Sequence, residues 1–424
     1  MTQDPAPYTR QGWTSLDPIA RQLIMARFLR SIAQGALGVD FTLYLKLRHW
    51  SAPEVGLLLM AGGLVGAGLS LLVGTASDRI GRRWFLLVYE SGLILGTLAI
   101  ILVPSVWVLV LTAALFGFGR GANGASGPFA PAEQAWLAQS IANRRRGSVF
   151  SFNAGLQFWG MGIGSLLAAF LPNLLPGVVG PGRYIPLFVL NLVMAVINLW
   201  QIAVLKENPP SRSTPSGDPG DSRKEAIVVK RENRALGLLA GVNMVNSLGV
   251  GLVAPLLPYW FNLRFGVGPR EIGPVYAVTF FLTGFSSLVI GKMSERVGII
   301  RSIVLPRLLG VALLVAIPFT PSFWVAAVLY VFRSIVNRGS MGARQAFSMG
   351  LVRDQRRGLA SSLNAVSWSV PAAIGPALGG WLIGLGSLEW PFLMASALQL
   401  AYVILFPAMM GQYDASRRPK PSHP

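Results

Sequence analysis

The chain has no cysteine, only two histidines and, for 424 residues, very little charge: 12% of its positions are Asp, Glu, Lys or Arg. Each shortage excludes something. Without cysteine there is no disulfide framework, thiol nucleophile or thiolate metal site. With His49 in a loop and His423 in the tail, no transition-metal site is expected, and carboxylates are the remaining ligands for a hard cation. No His or Cys constellation supports catalysis and no P-loop supports nucleotide binding, so neither an enzyme nor a cofactor is expected. Acids are scarcer than bases, 17 against 36, giving a formal net charge of +19. The polar start, Met1 to about Asp17, lacks a basic leader, an apolar core and a small-residue cleavage site, so no removed signal peptide is expected.

What is abundant is apolar: 53% of the residues are hydrophobic, too many for a water-facing surface. Apolar runs of about 20 residues, enough to cross a hydrocarbon core of about 30 Å, recur along the chain. The first six fall near 23–45, 54–76, 84–103, 106–140, 148–171 and 185–205. Six more fall near 235–261, 272–292, 301–320, 323–352, 359–383 and 388–411. The fourth and tenth are longer than a bilayer needs and should be tilted, broken or extended, with Gly127-Pro128 and Pro131 as a kink in the fourth.

The bases gather in alternate loops. Arg79, Arg82, Arg83, the triplet 144–146, the stretch from Lys206 to Arg234, and Arg353, Arg356 and Arg357 share one side, while the other side has few, such as Lys46 and Arg183. This asymmetry places both termini in the cytoplasm of a multi-pass inner-membrane protein. It also accounts for the positive charge without nucleic acid, since the bases cap apolar runs and no nucleic-acid module surrounds them. The stretch 206–234, rich in Pro, Ser, Gly and charge, reads as a cytoplasmic linker between an N-terminal bundle, 1–205, and a C-terminal bundle with its tail, 235–424.

The two halves repeat. Glu54-Val-Gly56 returns as Glu271-Ile-Gly273, and Gly74-x-x-x-Asp78-Arg79-x-Gly81 as Gly291-x-x-x-Glu295-Arg296-x-Gly298, at a constant offset of 217 (Glu54 to Glu271, Asp78 to Glu295). Further on, Ala132-Glu133-Gln134-Ala135 matches Ala343-Arg344-Gln345-Ala346, and Arg146-Gly147 matches Arg357-Gly358, at an offset of 211 (Glu133 to Arg344). An even number of spans per half makes this a parallel repeat. The expectation is an all-α polytopic membrane protein with twelve transmembrane helices in two six-helix bundles, related by a pseudo-twofold axis along the membrane normal.

Gly74-Thr-Ala-Ser-Asp78-Arg79-Ile-Gly81-Arg82-Arg83 resembles the signature loop of the major facilitator superfamily, and the resemblance covers essentially the whole chain, in a twelve-helix, drug-efflux-like form. It implies alternating access, with Gly74, Asp78, Arg79, Gly81, Arg82, Arg83 and their repeats Gly291, Glu295, Arg296 and Gly298 as a conformational latch. Arg120-x-x-Asn123-Gly124 is similar to the family's fourth-helix motif, in which a buried arginine accompanies proton transfer. Gly375-Pro376-Ala-Leu-Gly379-Gly380 resembles the antiporter motif but lies in the eleventh span, while the fifth lacks that proline and those final glycines. Close packing of small residues is the other reading of this stretch.

Of the acids, Asp40, Glu90 and Glu133 fall within spans. Intramembrane carboxylates are costly and either carry protons or hold static ion pairs. Asp40, Glu133 and Arg120 are the proton-coupling candidates; Glu90 is assigned a structural role. Glu133 and its repeat mate Arg344 should meet when the cytoplasmic side is closed. Arg333, Arg338 and Arg344, with Asn123, Gln345, Asn243, Asn246 and Trp368, are the candidate cavity residues. Arg27 and Arg30 either join such a cluster or snorkel to the interface.

Guanidinium groups suit an anionic metabolite. Aromatic residues such as Phe158, Trp159, Tyr259, Trp260, Tyr276, Phe280 and Trp368 suit an amphipathic compound. The reading is a monomeric secondary transporter in the lipid bilayer, exporting a small amphipathic compound in exchange for protons. An anion carrier and a non-transporting membrane sensor or scaffold are the alternatives.

Overall fold

A computed structural model describes residues 16–103, 105–119, 130–141, 146–207, 222–297, 299–339, 344, 347–348, 351–353 and 356–413. Side chains of a few helical residues, at 74–75, 78–79, 146–148, 222–226, 287–297, 299, 339 and 357–359, are outside this description. Among the described residues there are helices and no strands. They are α1 (Pro18–Leu47), α2 (Ala52–Ile80), α3 (Arg82–Leu102), α4 (Val106–Phe116), α5 (Ala130–Gln139), α6 (Arg146–Ala168) and α7 (Ile185–Val204) in the first half. The second half has α8 (Ser222–Val253), α9 (Leu257–Phe265), α10 (Pro269–Val297), α11 (Ile299–Ala316), α12 (Phe323–Gly339), α13 (Arg357–Gly384) and α14 (Trp390–Met410).

Local chemistry explains where these helices begin and stop. Asp17 accepts from the Ile19 N–H at 2.7 Å, ahead of Pro18 at the first helical position, and so starts α1. Glu54 reaches back to the Ser51 N–H at 2.7 Å to start α2. Its repeat mate Glu271 does the same for the Gly268 N–H at 2.9 Å at the start of α10. The repeat offset is therefore a structural one: the same carboxylate caps the same helix in both halves.

Two interruptions differ from the sequence reading. In the fourth span the helix stops at Gly117, in left-handed backbone at φ 69°, and Gly119 follows at φ 80°. Glycine accepts this conformation without a steric penalty. Of the kink expected at Gly127-Pro128 and Pro131, the first pair lies outside the described residues and Pro131 stands in the first turn of α5. The seventh span, read as continuous, has a 3-10 turn at Ala254–Leu256 between α8 and α9. Pro255 and Pro258 deprive the α-helical ladder of two N–H donors there. At its other end α8 reaches back to Ser222, into the stretch read as linker.

Eight helical runs are long and apolar enough to cross a membrane by length and composition. Helix α1 is absent from that group because Arg21, Arg27, Arg30, Asp40 and Lys46 dilute its hydropathy, although 20 of its 30 residues are buried. A belt of exposed apolar side chains, including Leu57, Trp84, Trp107, Leu111, Phe332 and Trp381, surrounds the assembly where lipid would lie.

The halves meet along α2 with α13 and α6 with α10. At the end where α1 joins α2 they are pressed together. A β-carbon at Gly56 would overlap the Pro376 carbonyl, and one at Gly273 would lie 2.6 Å from the Ser165 carbonyl oxygen. These two crossings are repeat mates (Gly56 to Gly273 by 217, Ser165 to Pro376 by 211). Gly380 meets the Ala52 carbonyl at the same interface, while Gly375 and Gly379 meet the backbone of α8 at Gly251 and Leu252. The Gly375–Gly380 stretch thus serves close helix packing.

Candidate functional site

Between the halves lies a cavity of about 690 Å³. It runs from Leu59, Pro376 and the Ala254-Pro255 break to Ser70, Gln134, Ser361 and Ser362. The last three of these are exposed, at the end of the molecule where α1 begins and α14 finishes. The opposite end is held by cross-half hydrogen bonds: Lys46 Nζ donates to Asn262 Oδ1, and Tyr259 Oη to the Trp50 carbonyl at 3.2 Å.

Four arginines line the cavity, all from the second half: Arg307, Arg333, Arg338 and Arg344. No Asp or Glu is among the described lining residues. Arg307, 2% exposed on α11, donates to Asn246 Oδ1 and stacks 5.4 Å from the Tyr402 ring centre. Arg333, 8% exposed on α12, donates to Gln399 Oε1 at 3.2 Å. Arg338 lies 5.0 Å from the Phe280 ring centre and 5.9 Å from that of Phe158, and Arg344 lies 5.3 Å from that of Trp368. Each of these contacts orients a guanidinium with a neutral amide or a ring face; none of them neutralises it.

The first half treats its charges oppositely. Arg30 donates to Glu90 Oε1 from Nε at 2.9 Å and from Nη2 at 2.7 Å, and pairs through Nη1 with Glu133. Arg27 stands 3.7 Å from Glu133 and donates to Gln157 Oε1 at 2.8 Å. Two guanidiniums and two carboxylates, none more than 6% exposed by side chain, form a formally neutral cluster tying α1, α3, α5 and α6 together. Arg27 and Arg30 are buried in the bundle, so they neither snorkel nor line the cavity. Glu133 faces this cluster, while its neighbour Gln134 faces the cavity.

Asp40 is fully buried on α1, and neither of its oxygens has a hydrogen-bond partner among the described residues. Arg183 and Tyr184, in the 3-10 turn just before α7, are polar groups acting on it electrostatically. It lies in the first bundle, away from the cavity wall.

The remaining candidates divide as follows. Trp368, Arg333, Arg338 and Arg344 are in the wall. Asn246 stands behind it, holding Arg307, and Asn243 donates to Asn364 Oδ1 at 2.9 Å. Arg120, Asn123, Gln345 and Gly298 lie outside the described residues, as do the side chains at Gly74, Asp78, Arg79, Gly291, Glu295 and Arg296. Of the latch, Gly81 turns at φ 109° between α2 and α3. The Arg82 and Arg83 N–H groups donate to Glu207 at 2.8 and 2.9 Å, and the Arg83 guanidinium donates to the Ala203 carbonyl at 2.5 Å. Helices α3 and α7 therefore cap one another within the first half.

Among the aromatic residues, Phe158 and Trp368 face the cavity, joined by Tyr330. Trp260, Tyr276 and Phe280 are core. Sequence reasoning missed Arg307. An arginine inside an apolar run, at the repeat position of the intramembrane acid Glu90 (offset 217), was the available signal.

Two helical bundles enclosing a cavity, inside an apolar belt, define a multi-pass membrane transport protein. The family model described as Major Facilitator Superfamily matches residues 23–242 and 239–424, so the chain belongs to that superfamily, with its twelve-helix, two-domain fold. Tetracycline resistance protein, class C, from Escherichia coli is 31% identical over 45% of this chain and 48% of its own length, so this match spans about half of that relative. Multidrug resistance protein MdtG from Dickeya zeae is 24% identical over 78% of each chain. Among solved structures, a D-xylose-proton symporter superposes with a TM-score of 0.71 at 13% identity, covering 92% of this chain and 96% of its own. The nucleoside transporter NupG superposes with a TM-score of 0.69 at 13% identity, covering 92% and 99%.

Proposed function

We propose that the chain is a secondary active transporter of the inner membrane that exports a small amphipathic compound in exchange for protons, by alternating access and as a monomer with both termini in the cytoplasm. The observation that carries this reading is the central cavity, shut at one end by Lys46–Asn262 and the Gly56 and Gly273 crossings and reaching exposed residues at the other. The resistance proteins among its relatives support export, and the basic loops on the side of the termini support the orientation. Asp40 is the leading proton carrier, because a fully buried carboxylate without a described partner is the group whose charge the fold does least to stabilise. Glu133, held by Arg30, is the second.

The test uses proteoliposomes holding a pH-sensitive dye. Adding a transported solute should make the lumen alkaline in the parent protein, and Asp40→Asn should abolish that change. If Asp40→Asn and Glu133→Gln both transport at the parent rate and still respond to a pH gradient, the coupling assignment fails.

A further inference from the structure

The two halves handle buried charge by different rules. In the first, every arginine of the buried cluster is matched by a carboxylate. In the second, Arg307 and Arg333 are as deeply buried but are held by Asn246 and Gln399, neutral amides that fix direction without supplying charge. The Nε atoms of Arg307, Arg333 and Arg344 have no hydrogen-bond partner among the described residues. Arg333 and Arg344 also act on Arg307 as like charges. A fold that needed only to bury these arginines would have paired them, as it pairs Arg30. Holding them oriented around a cavity, with no described acid in its wall, is what a site for a negatively charged group requires.

We propose that the cavity takes an amphipathic organic anion: a carboxylate or phosphoryl head bound by Arg307 and Arg333, with an apolar, aromatic-sized body against Phe158, Tyr330 and Trp368. This rests on reading the cavity as the transport site, and it specifies the sign of the cargo's charge. Both head groups offer two acceptor oxygens sharing negative charge, which a guanidinium fork recognises. A volume of about 690 Å³ admits such a body together with water. A cationic compound would find four like charges and no acid in the described wall.

The test uses the full-length protein in neutral detergent, in a buffer free of phosphate and sulfate. Calorimetric titration compares four compounds on one ring system: 1-naphthylacetate, 1-naphthyl phosphate, the methyl ester of 1-naphthylacetate and 1-naphthylmethylammonium. Binding of one or both anions, at least about tenfold tighter than the ester, with no binding of the ammonium, is expected. The ratio of the two anions tells carboxylate from phosphoryl. Arg333→Gln and Arg307→Gln should each weaken anion binding about tenfold or more and leave the ester unchanged, while Arg333→Lys should recover part of the loss. An ester as tight as the anions, a preference for the ammonium, or no anion binding up to millimolar concentration overturns the proposal, and this ranking in the parent protein decides the matter even if a variant fails to fold. Proteoliposome flux separates the two readings. Anions that bind but never cross defeat the transporter reading alone; neutral or cationic congeners that cross while anions do not defeat the anion site alone.

Discussion

Arg30 and Arg333 are both arginines buried in helical bundles, and they should answer the same substitution differently. Replacing Arg30 with glutamine leaves Glu90 and Glu133 facing one another without their shared cation. Breaking a buried pair in this way costs about 3–5 kcal/mol. Arg333→Gln instead removes one of several mutually repelling cations whose insertion costs about 2.5–3.5 kcal/mol at a helix centre. We expect Arg30→Gln to lower the melting temperature in detergent markedly, and Arg333→Gln to leave it unchanged or raise it, as followed by intrinsic fluorescence on heating. Equal losses from the two would mean that Arg333 has a structural anion partner. Residue chemistry was only partly legible in the sequence. That Asp40, Glu90 and Glu133 lie in spans could be read directly, but which arginine each would meet depends on how α1, α3 and α5 rotate about their axes. Hydropathy does not encode that rotation, so Arg27 and Arg30, three residues apart on one face of α1, could be read as interfacial when they are the centre of a cluster.

At the scale of elements, the repeat carried more information than hydropathy. Twelve apolar runs can be read along the sequence, but only eight helical runs among the described residues are long and apolar enough to cross a membrane, because intramembrane charge hides α1 and broken helices hide others. The constant offsets found the capping carboxylates Glu54 and Glu271 and the glycines Gly56 and Gly273, which are the crossing points of the halves. What the offsets did not reveal were the breaks, at Gly117 in the fourth span and at Ala254–Leu256 in the seventh, since each occurs in one half only. Small residues at the crossings lead to a direct expectation. Valine at Gly56 or at Gly273 places a branched side chain against carbonyl oxygens with no room to shift, which costs about 1–3 kcal/mol or more. Either substitution should loosen the end held by Lys46 and Asn262. With no native cysteine, Asn262→Cys supplies a single reporter thiol, and its labelling by a bulky maleimide should rise several-fold in the Gly56→Val background. Unchanged labelling would show that this end stays shut even with both the Lys46–Asn262 hydrogen bond and the Gly56 crossing removed. A smaller effect is expected from Glu207→Gln, which weakens the carboxylate cap at the start of α3 by about 0.5–2 kcal/mol and is readable as a modest fall in melting temperature.

For the whole molecule, the asymmetry between halves becomes a statement about motion. Rocking the bundles to close the end where α1 begins and α14 finishes would press the arginine-lined wall of the second half against α2, α5 and α6. Water would leave, and the repulsion among the arginines would grow as the local dielectric fell. Nothing acidic in the described wall of the first half meets them: Gln134 and Phe158 face the cavity while Glu133 is turned toward Arg30. The expected meeting of Glu133 with Arg344 therefore requires Glu133 to give up Arg30, which would leave Arg30 with Glu90 as its acid. A bound anion supplies the missing charge at lower cost, without dismantling the cluster. Closure should then be tied to occupancy, because a ligand shifts a conformational equilibrium by its differential affinity for the two states. With Gln134→Cys as the single thiol, maleimide labelling should be fast in the empty protein and slow several-fold when 1-naphthyl phosphate is added. It should be unaffected by the ammonium congener. Protection should be lost in Arg333→Gln if the anion drives closure through the arginines. Should Arg333→Gln instead label slowly without any ligand, repulsion among the arginines is itself what holds the empty cavity open, and the anion's part in closure is to cancel it.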